Sequence, residues 1–185
     1  METMHRYRLI KYNPEYRDEF GGYEKNEWTS ISDVGKSFDG VIFNFEKYMR
    51  VEDAYVKSVK MIMDYCKVTA LKITYIEKRG VLSAHEYNSP NFPKNLYDLK
   101  TAALYKSVKK RTVLTGWRIE HMIRLMLREE LYAQLVGNEP DHKSEPFKVF
   151  IGYEYLMGIH TNTNLQQLKE QLLKIGMYLE NPYEE

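Results

Sequence analysis

Between Phe45 and Cys66 the chain repeats apolar residues at intervals of three and four: Phe45, Tyr48, Met49, Tyr55, Val56, Val59, Ile62, Met63 and Cys66. That spacing lays one continuous apolar stripe along an amphipathic α-helix of about six turns. Asn44, just before it, has the side chain of an N-cap. A helix of this length with one apolar side needs a second layer to cover it, so the rest of the chain is read for what supplies that layer.

Strand patterns flank the helix. His5 to Tyr12 (H-R-Y-R-L-I-K-Y) reads as a strand ended by Asn13-Pro14, and Ala70 to Ile76 alternates with β-branched residues. Residues 14–28, with Gly21-Gly22 near their centre, read as a long surface loop. A short helix capped by Ser30 or Ser32 is expected within Ser30 to Phe38, then a turn at Asp39-Gly40. Gly80 to Pro93 is a long connection, and Leu96 to Val108 a less regular helix. Thr115 to Val136 predicts a helix through Ile119, Met122, Ile123, Met126, Leu127, Leu131 and Leu135, with Gly137 as its C-cap. Phe147 to Thr161 predicts a hairpin turning near Gly152 to Glu154. Leu165 to Ile175 predicts a last helix stopped by Gly176, with a short strand over Met177 to Leu179. Strands and helices mix without regular alternation, so the expected class is α+β: a small mixed sheet of about five strands with four to five helices in one domain, residues 1–185.

Composition excludes several classes. The chain has 185 residues with 27 basic and 26 acidic side chains, a formal charge of +1. Its one cysteine, Cys66, cannot form an internal disulfide, as expected in a reducing compartment. The N-terminus alternates charged and apolar residues, unlike a signal peptide, and no apolar run approaches a membrane span. A soluble, cytoplasmic protein with no membrane contact is expected.

The catalytic and ligand motifs fail on their chemistry. Gly35-Lys36-Ser37 resembles the end of a phosphate-binding loop, but Ser30 stands where the first glycine is required and a polar segment replaces the preceding strand. His5, His85, His121, His142 and His160 show no metal-ligand spacing, and no cofactor or metal is expected. Glu52 and Glu130 each lie beside an apolar helical stripe. They could form a paired acid site, although pairing with Arg50, Arg124 or Arg128 is the commoner arrangement. An enzyme is therefore not the expectation.

Charge is unevenly spread. Lys94, Lys100, Lys106, Lys109, Lys110, Arg111 and Arg118 share the 94–118 segment with one acid, Asp98. This makes a nucleic-acid-associated protein an alternative, but direct nucleic-acid binding is the lesser expectation, given the small overall basic excess and the absence of a recognised motif. Glu15, Asp18, Glu19, Glu24 and Glu27 face only Arg17 and Lys25, in a loop that also carries Tyr16, Tyr23 and Trp28. Aromatics give rigid contact area and acids steer a basic partner. Tyr16, Asp18, Glu19, Tyr23, Glu24 and Glu27, with Tyr153 from the hairpin turn, are the candidate partner-binding residues; Trp28 is as well suited to fold back onto the body.

The stretches Tyr7-Arg8-Leu9-Ile10-Lys11-Tyr12-Asn13-Pro14, Tyr16-Arg17-Asp18-Glu19, Glu27-Trp28-Thr29-Ser30-Ile31-Ser32-Asp33-Val34-Gly35-Lys36 and Tyr48-Met49-Arg50-Val51-Glu52-Asp53-Ala54-Tyr55 resemble bacterial immunity proteins of contact-dependent growth inhibition and related polymorphic toxin systems. The resemblance covers roughly the first third of the chain, with a fainter echo over Leu125 to Leu131. It implies one-to-one binding and neutralisation of a cognate toxin domain. A nuclease is a plausible target, because an acidic loop can occupy a phosphate-binding surface. The resemblance assigns no role to any residue.

Overall fold

The structure, a computed structural model, describes residues 4–82, 89–137 and 147–182. In chain order they form β1 (His5–Ile10), β2 (Ser37–Phe38), β3 (Val41–Ile42), α1 (Phe45–Tyr65), β4 (Ala70–Lys78), α2 (Leu99–Ser107), β5 (Val113–Thr115), α3 (Trp117–Leu127), β6 (Leu131–Gly137), β7 (Phe147–Ile151), β8 (Met157–Thr161), α4 (Lys169–Lys174) and β9 (Tyr178–Glu180). The α+β class is observed, but the sheet is larger than expected and not mixed. Seven strands run in the order β5-β4-β6-β7-β8-β1-β9 with every pair antiparallel, and β2 and β3 form a separate hairpin.

Local chemistry explains the boundaries. Asn44 starts α1 by accepting the Lys47 amide at 2.9 Å, and Asp98 starts α2 by accepting the Thr101 amide at 2.7 Å. The expected helix over 115–136 is instead α3 followed by β6. Glu129 takes a left-handed φ of 59° between them, which ends the helix and reverses the chain. Gly137 accordingly ends a strand and caps no helix. Its Cβ position is crowded by Val68 and Phe147. Ser30 caps a single 3-10 turn over Ile31–Asp33 through a capping box with Asp33, and Lys36 turns back to Asp33 at 2.7 Å. In the Gly35-Lys36-Ser37 segment, Lys36 is thus an exposed ion-pair partner.

Alternation along the strands separates two faces. Tyr7, Leu9, Leu71, Ile73, Leu131, Ala133, Leu135, Phe147, Val149, Met157 and Ile159 point inwards and are buried. They meet Tyr48, Tyr55, Val59 and Ile62 of α1 and Met122, Ile123 and Met126 of α3 in one core. The opposite face carries Arg6, Arg8, Lys72, Tyr75, Tyr132, Lys148, Phe150 and His160, all partly or fully exposed. Among the described residues the architecture is therefore two layers, with the helices on one side of the sheet. No helix among the described residues is long and apolar enough to cross a membrane.

Candidate functional site

Two turns distant in sequence meet at one rim of the sheet. In the first, Asn13 accepts the Glu15 amide at 3.0 Å and starts a 3-10 turn at Pro14–Tyr16. The chain then doubles back through an Arg17–Tyr23 bridge. Asp18 braces the tip: its carboxylate accepts the amides of Phe20 at 2.9 Å and Gly22 at 2.6 Å, while its own amide donates to the Gly22 carbonyl at 2.8 Å. These bonds lock the backbone on both sides of Phe20, whose side chain is 89% exposed.

The second turn, Gly152 to Leu156, joins β7 to β8. Glu154 and Tyr155 both have positive φ, 54° and 65°, in a conformation that costs non-glycine residues about 1–2 kcal/mol each. Two tyrosine hydroxyls from elsewhere hold it. Tyr12 donates to the Glu154 carbonyl at 2.8 Å, and Tyr55 donates to the Tyr155 carbonyl at 2.6 Å while accepting the Lys11 amide at 3.0 Å. The Tyr155 ring is buried against Trp28, and its hydroxyl donates to that of Tyr48 at 3.2 Å. With Tyr155 anchored inside, Tyr153 stands out from the turn, 91% exposed.

A cleft of about 500 Å³ lies between the turns, lined by Gly21, Tyr23 and Glu27 on one side and Glu154 and Leu156 on the other, with Arg8 and Tyr12 beneath. Beside it, Lys11 is nearly buried, with Nζ 3.9 Å from the Tyr12 ring centre, 4.1 Å from that of Trp28 and 3.2 Å from Glu27. Burial lowers the Lys11 ammonium to about 8, with Glu27 opposing the shift. Burial, then the neighbouring Glu27 carboxylate, pushes Tyr23 up to about 12.

The candidate residues therefore divide. Tyr23 and Glu27 line the cleft, but Glu27 is occupied by Lys11, Lys25 and the Tyr23 hydroxyl. Asp18 shapes the tip. Glu19 and Glu24 are exposed, and Tyr16 is half exposed with Lys25 over its ring at 4.9 Å. Trp28 folds back, stacked on Phe43 at 4.4 Å. Arg17 forms a bidentate ion pair with Glu180. Phe20 lies outside the candidates that charge and aromatic content mark in the sequence; its local signal is an aromatic flanked by Asp18 and Gly21-Gly22.

Glu52 and Glu130 are both fully buried, Glu52 on α1 and Glu130 in the turn between α3 and β6 rather than on a helix. Glu52 accepts a bidentate pair from Arg128 at 2.7 and 2.8 Å, a bond from Arg124 at 2.8 Å and the Tyr48 hydroxyl at 2.5 Å. Arg128, its positive charge held firmly by Glu52 despite burial, also donates to the Leu96 carbonyl at 3.2 Å. Glu130 accepts the Tyr97 hydroxyl at 2.6 Å. This network ties α1 to α3 and to the segment before α2, and neither carboxylate lines a cleft described above or below.

In the 94–118 segment, Lys94, Lys100, Lys106, Lys109, Lys110 and Arg111 are exposed and Arg118 is half-buried. His121 lies 2.6 Å from the Thr101 hydroxyl, while His85 and His142 lie outside the described residues. Among the described residues no three His, Cys, Asp or Glu side chains could hold a metal ion. Cys66 lies 3.6 Å from the Thr161 hydroxyl, and burial pushes its thiol up. Compared with protein-family models, curated proteins and solved structures, the chain matches none.

Proposed function

We propose that the protein is a binding protein of the immunity type, which neutralises a cognate bacterial toxin domain by one-to-one association and without catalysis. One observation carries the reading: Phe20 and Tyr153 are held almost fully in solvent by two separately braced turns that flank one cleft. Exposed aromatics normally cost solubility, and a strained turn fixed by two buried hydroxyls is costly to build for no purpose. Aromatics on a pre-ordered backbone lose little entropy on binding and are the usual hot spots of protein interfaces.

The charge around them fits a basic partner. Arg17 and Lys25 are paired with Glu180 and Glu27, which leaves Glu15, Asp18, Glu19 and Glu24 as the loop's outward charge. A nuclease domain, whose substrate surface is basic, is such a partner. The resemblance of the first third of the chain to immunity proteins supports a toxin as the target.

The test is to mix the protein with the toxin domain encoded beside it and follow size-exclusion elution and toxin activity. A one-to-one complex with loss of activity is expected. The F20S/Y153S double variant should weaken binding by at least about a hundredfold, with its melting temperature nearly unchanged. Separate peaks with full toxin activity would overturn the toxin reading, and a double variant that inhibits like the parent would overturn this rim as the interface.

A further inference from the structure

The sheet face on which no helix lies among the described residues bears a pattern that only the strand register assembles. One row across five strands reads Arg6, His160, Lys148, Val136, Lys72. The next reads Arg8, Gly158, Phe150, Gln134, Tyr75. At strand spacing the first row spans about 19 Å. Among the described residues no carboxylate pairs with Arg6, Arg8, Lys72 or Lys148. Two acids border the rows: Glu180, opposite Arg8 on β9, is paired with Arg17, and Glu77, at the far end beside Tyr132, accepts the Tyr75 hydroxyl.

An aromatic platform sits within this charge. Phe150 lies flat over Gly158, where any Cβ would overlap the ring, and its ring meets His160 edge-on at 5.2 Å with Lys148 Nζ 5.6 Å away. A cavity of about 270 Å³ opens beside it, lined by Arg6, Arg8, Phe150, Tyr153 and His160. Tyr75 and Tyr132 form a second aromatic pair at 5.7 Å further along the face. Cations that no carboxylate pairs among the described residues, interleaved with partly exposed rings, are what a strand of phosphates and bases requires: the cations track the backbone and the rings stack bases without regard to sequence.

We propose that this open face binds single-stranded nucleic acid, with phosphates along Arg6, Arg8, Lys148 and Lys72 and one base stacked on Phe150 in the adjoining cavity. A near-zero net charge does not oppose this, because the cations are gathered on one face. The site adjoins the Phe20–Tyr153 rim: Arg8 and Leu156 border both cavities and Tyr153 lines this one, whereas Arg6, Lys148, Phe150 and His160 belong to the sheet face alone.

The experiment measures anisotropy of labelled oligouridylate and oligothymidylate of about twelve nucleotides with the full chain. Affinity should fall between about 50 and 200 mM salt with a log–log slope near −3, as for four phosphates. The R6Q/K148Q variant should bind about tenfold more weakly with a slope shallower by about 1.4, two phosphate contacts having been removed. F150L should lose about tenfold through stacking alone. K100Q/K106Q should stay within about twofold of the parent, because both cations are carried by α2, which packs on α3 in the helix layer. Tighter binding of the RNA strand would place a 2′-hydroxyl contact on the face, and equal binding would place none; both support the proposal. Arg6 and Lys148 are outside the buried core, so that variant tests the charge whether or not F150L folds. No binding of either strand at the lower salt would overturn the proposal. So would parental affinity in R6Q/K148Q, or displacement by a polyglutamate peptide as effective as by unlabelled oligonucleotide.

Discussion

The Tyr55 hydroxyl lies 2.6 Å from the carbonyl oxygen of Tyr155, and the same hydroxyl accepts the Lys11 amide at 3.0 Å. One phenol on α1 thus satisfies two backbone groups, one just after β1 and one in the β7–β8 turn, and holds the turn that displays Tyr153. Tyr55→Phe should strand a buried N–H and a buried carbonyl and cost about 3 kcal/mol. For a chain of this length that is a fall in melting temperature of about 6–12 °C. Tyr12→Phe, which frees only the Glu154 carbonyl, should cost about 1 kcal/mol. Thermal unfolding of the two variants checks the order, and equal losses would contradict the assigned roles.

The Glu52 carboxylate and its arginines should show strong coupling. Glu52→Gln leaves the buried Arg128 without a counter-charge, while Arg124 keeps Asp53 and Glu120, and removing one member of a buried pair costs about 3–5 kcal/mol. Once Glu52 is gone, losing Arg128 costs less, so E52Q/R128Q should be more stable than the sum of the two single changes predicts, by about 1–3 kcal/mol. Denaturant unfolding of the double-mutant cycle measures this directly. Simple additivity would mean that Arg128 acts mainly through the Leu96 carbonyl.

How much of this was legible in the sequence depends on the range of the physics. Helix α1 was legible with its cap because twenty-one residues repeat one period and Asn44 acts locally. The break between α3 and β6 was not. Leu127, Leu131 and Leu135 lie four apart, a spacing that continues a helical stripe and also keeps one face of a strand, and the turn is made by Glu129 rather than by glycine or proline. The strands β2, β3 and β5 have two or three residues, too few to show any period. Within the rim, the turn-rich loop and the hairpin turn could each be read locally. Their meeting at one cleft depends on Tyr12 and Tyr55 reaching across the fold. The open face was invisible for the same reason, since Arg6, Lys72, Lys148 and His160 are single polar residues in four strands that align only through register.

Lys11 predicts an alkaline stability profile. Its ammonium loses its proton near pH 8 in the folded protein, against about 10.5 when unfolded, so between those values the unfolded chain binds more protons and stability rises with pH. Charged Lys11 thus costs up to about 3 kcal/mol below pH 8, and the cost is relieved on the way to 10.5. Above pH 10 the trend reverses, because burial raises Tyr12, Tyr48 and Tyr55 above their ordinary value and the unfolded tyrosines ionise first. Unfolding free energy measured from pH 7 to 11 should pass through a maximum near 10. The rise from pH 8 should vanish in Lys11→Met, and a rise that persists there would assign it to another group.

His160 reports on the open face. Burial lowers its protonation below 6.5, and Arg6 on β1 and Lys148 on β7, the cations facing it from the two neighbouring strands, lower it further. It is therefore neutral at pH 7, and its unfolded form protonates first as pH falls, so stability declines below 6.5. An anion seated between Arg6 and Lys148 would reverse the local field and favour the imidazolium. Followed by NMR, the His160 ring should titrate below the ordinary range in the free protein, shift upward in R6Q/K148Q, and shift upward when oligouridylate is added to the parent. Oligonucleotide affinity should correspondingly strengthen as pH is lowered through the His160 transition. A His160 titration that oligonucleotide leaves unmoved would place the phosphates away from the Arg6–Lys148 row.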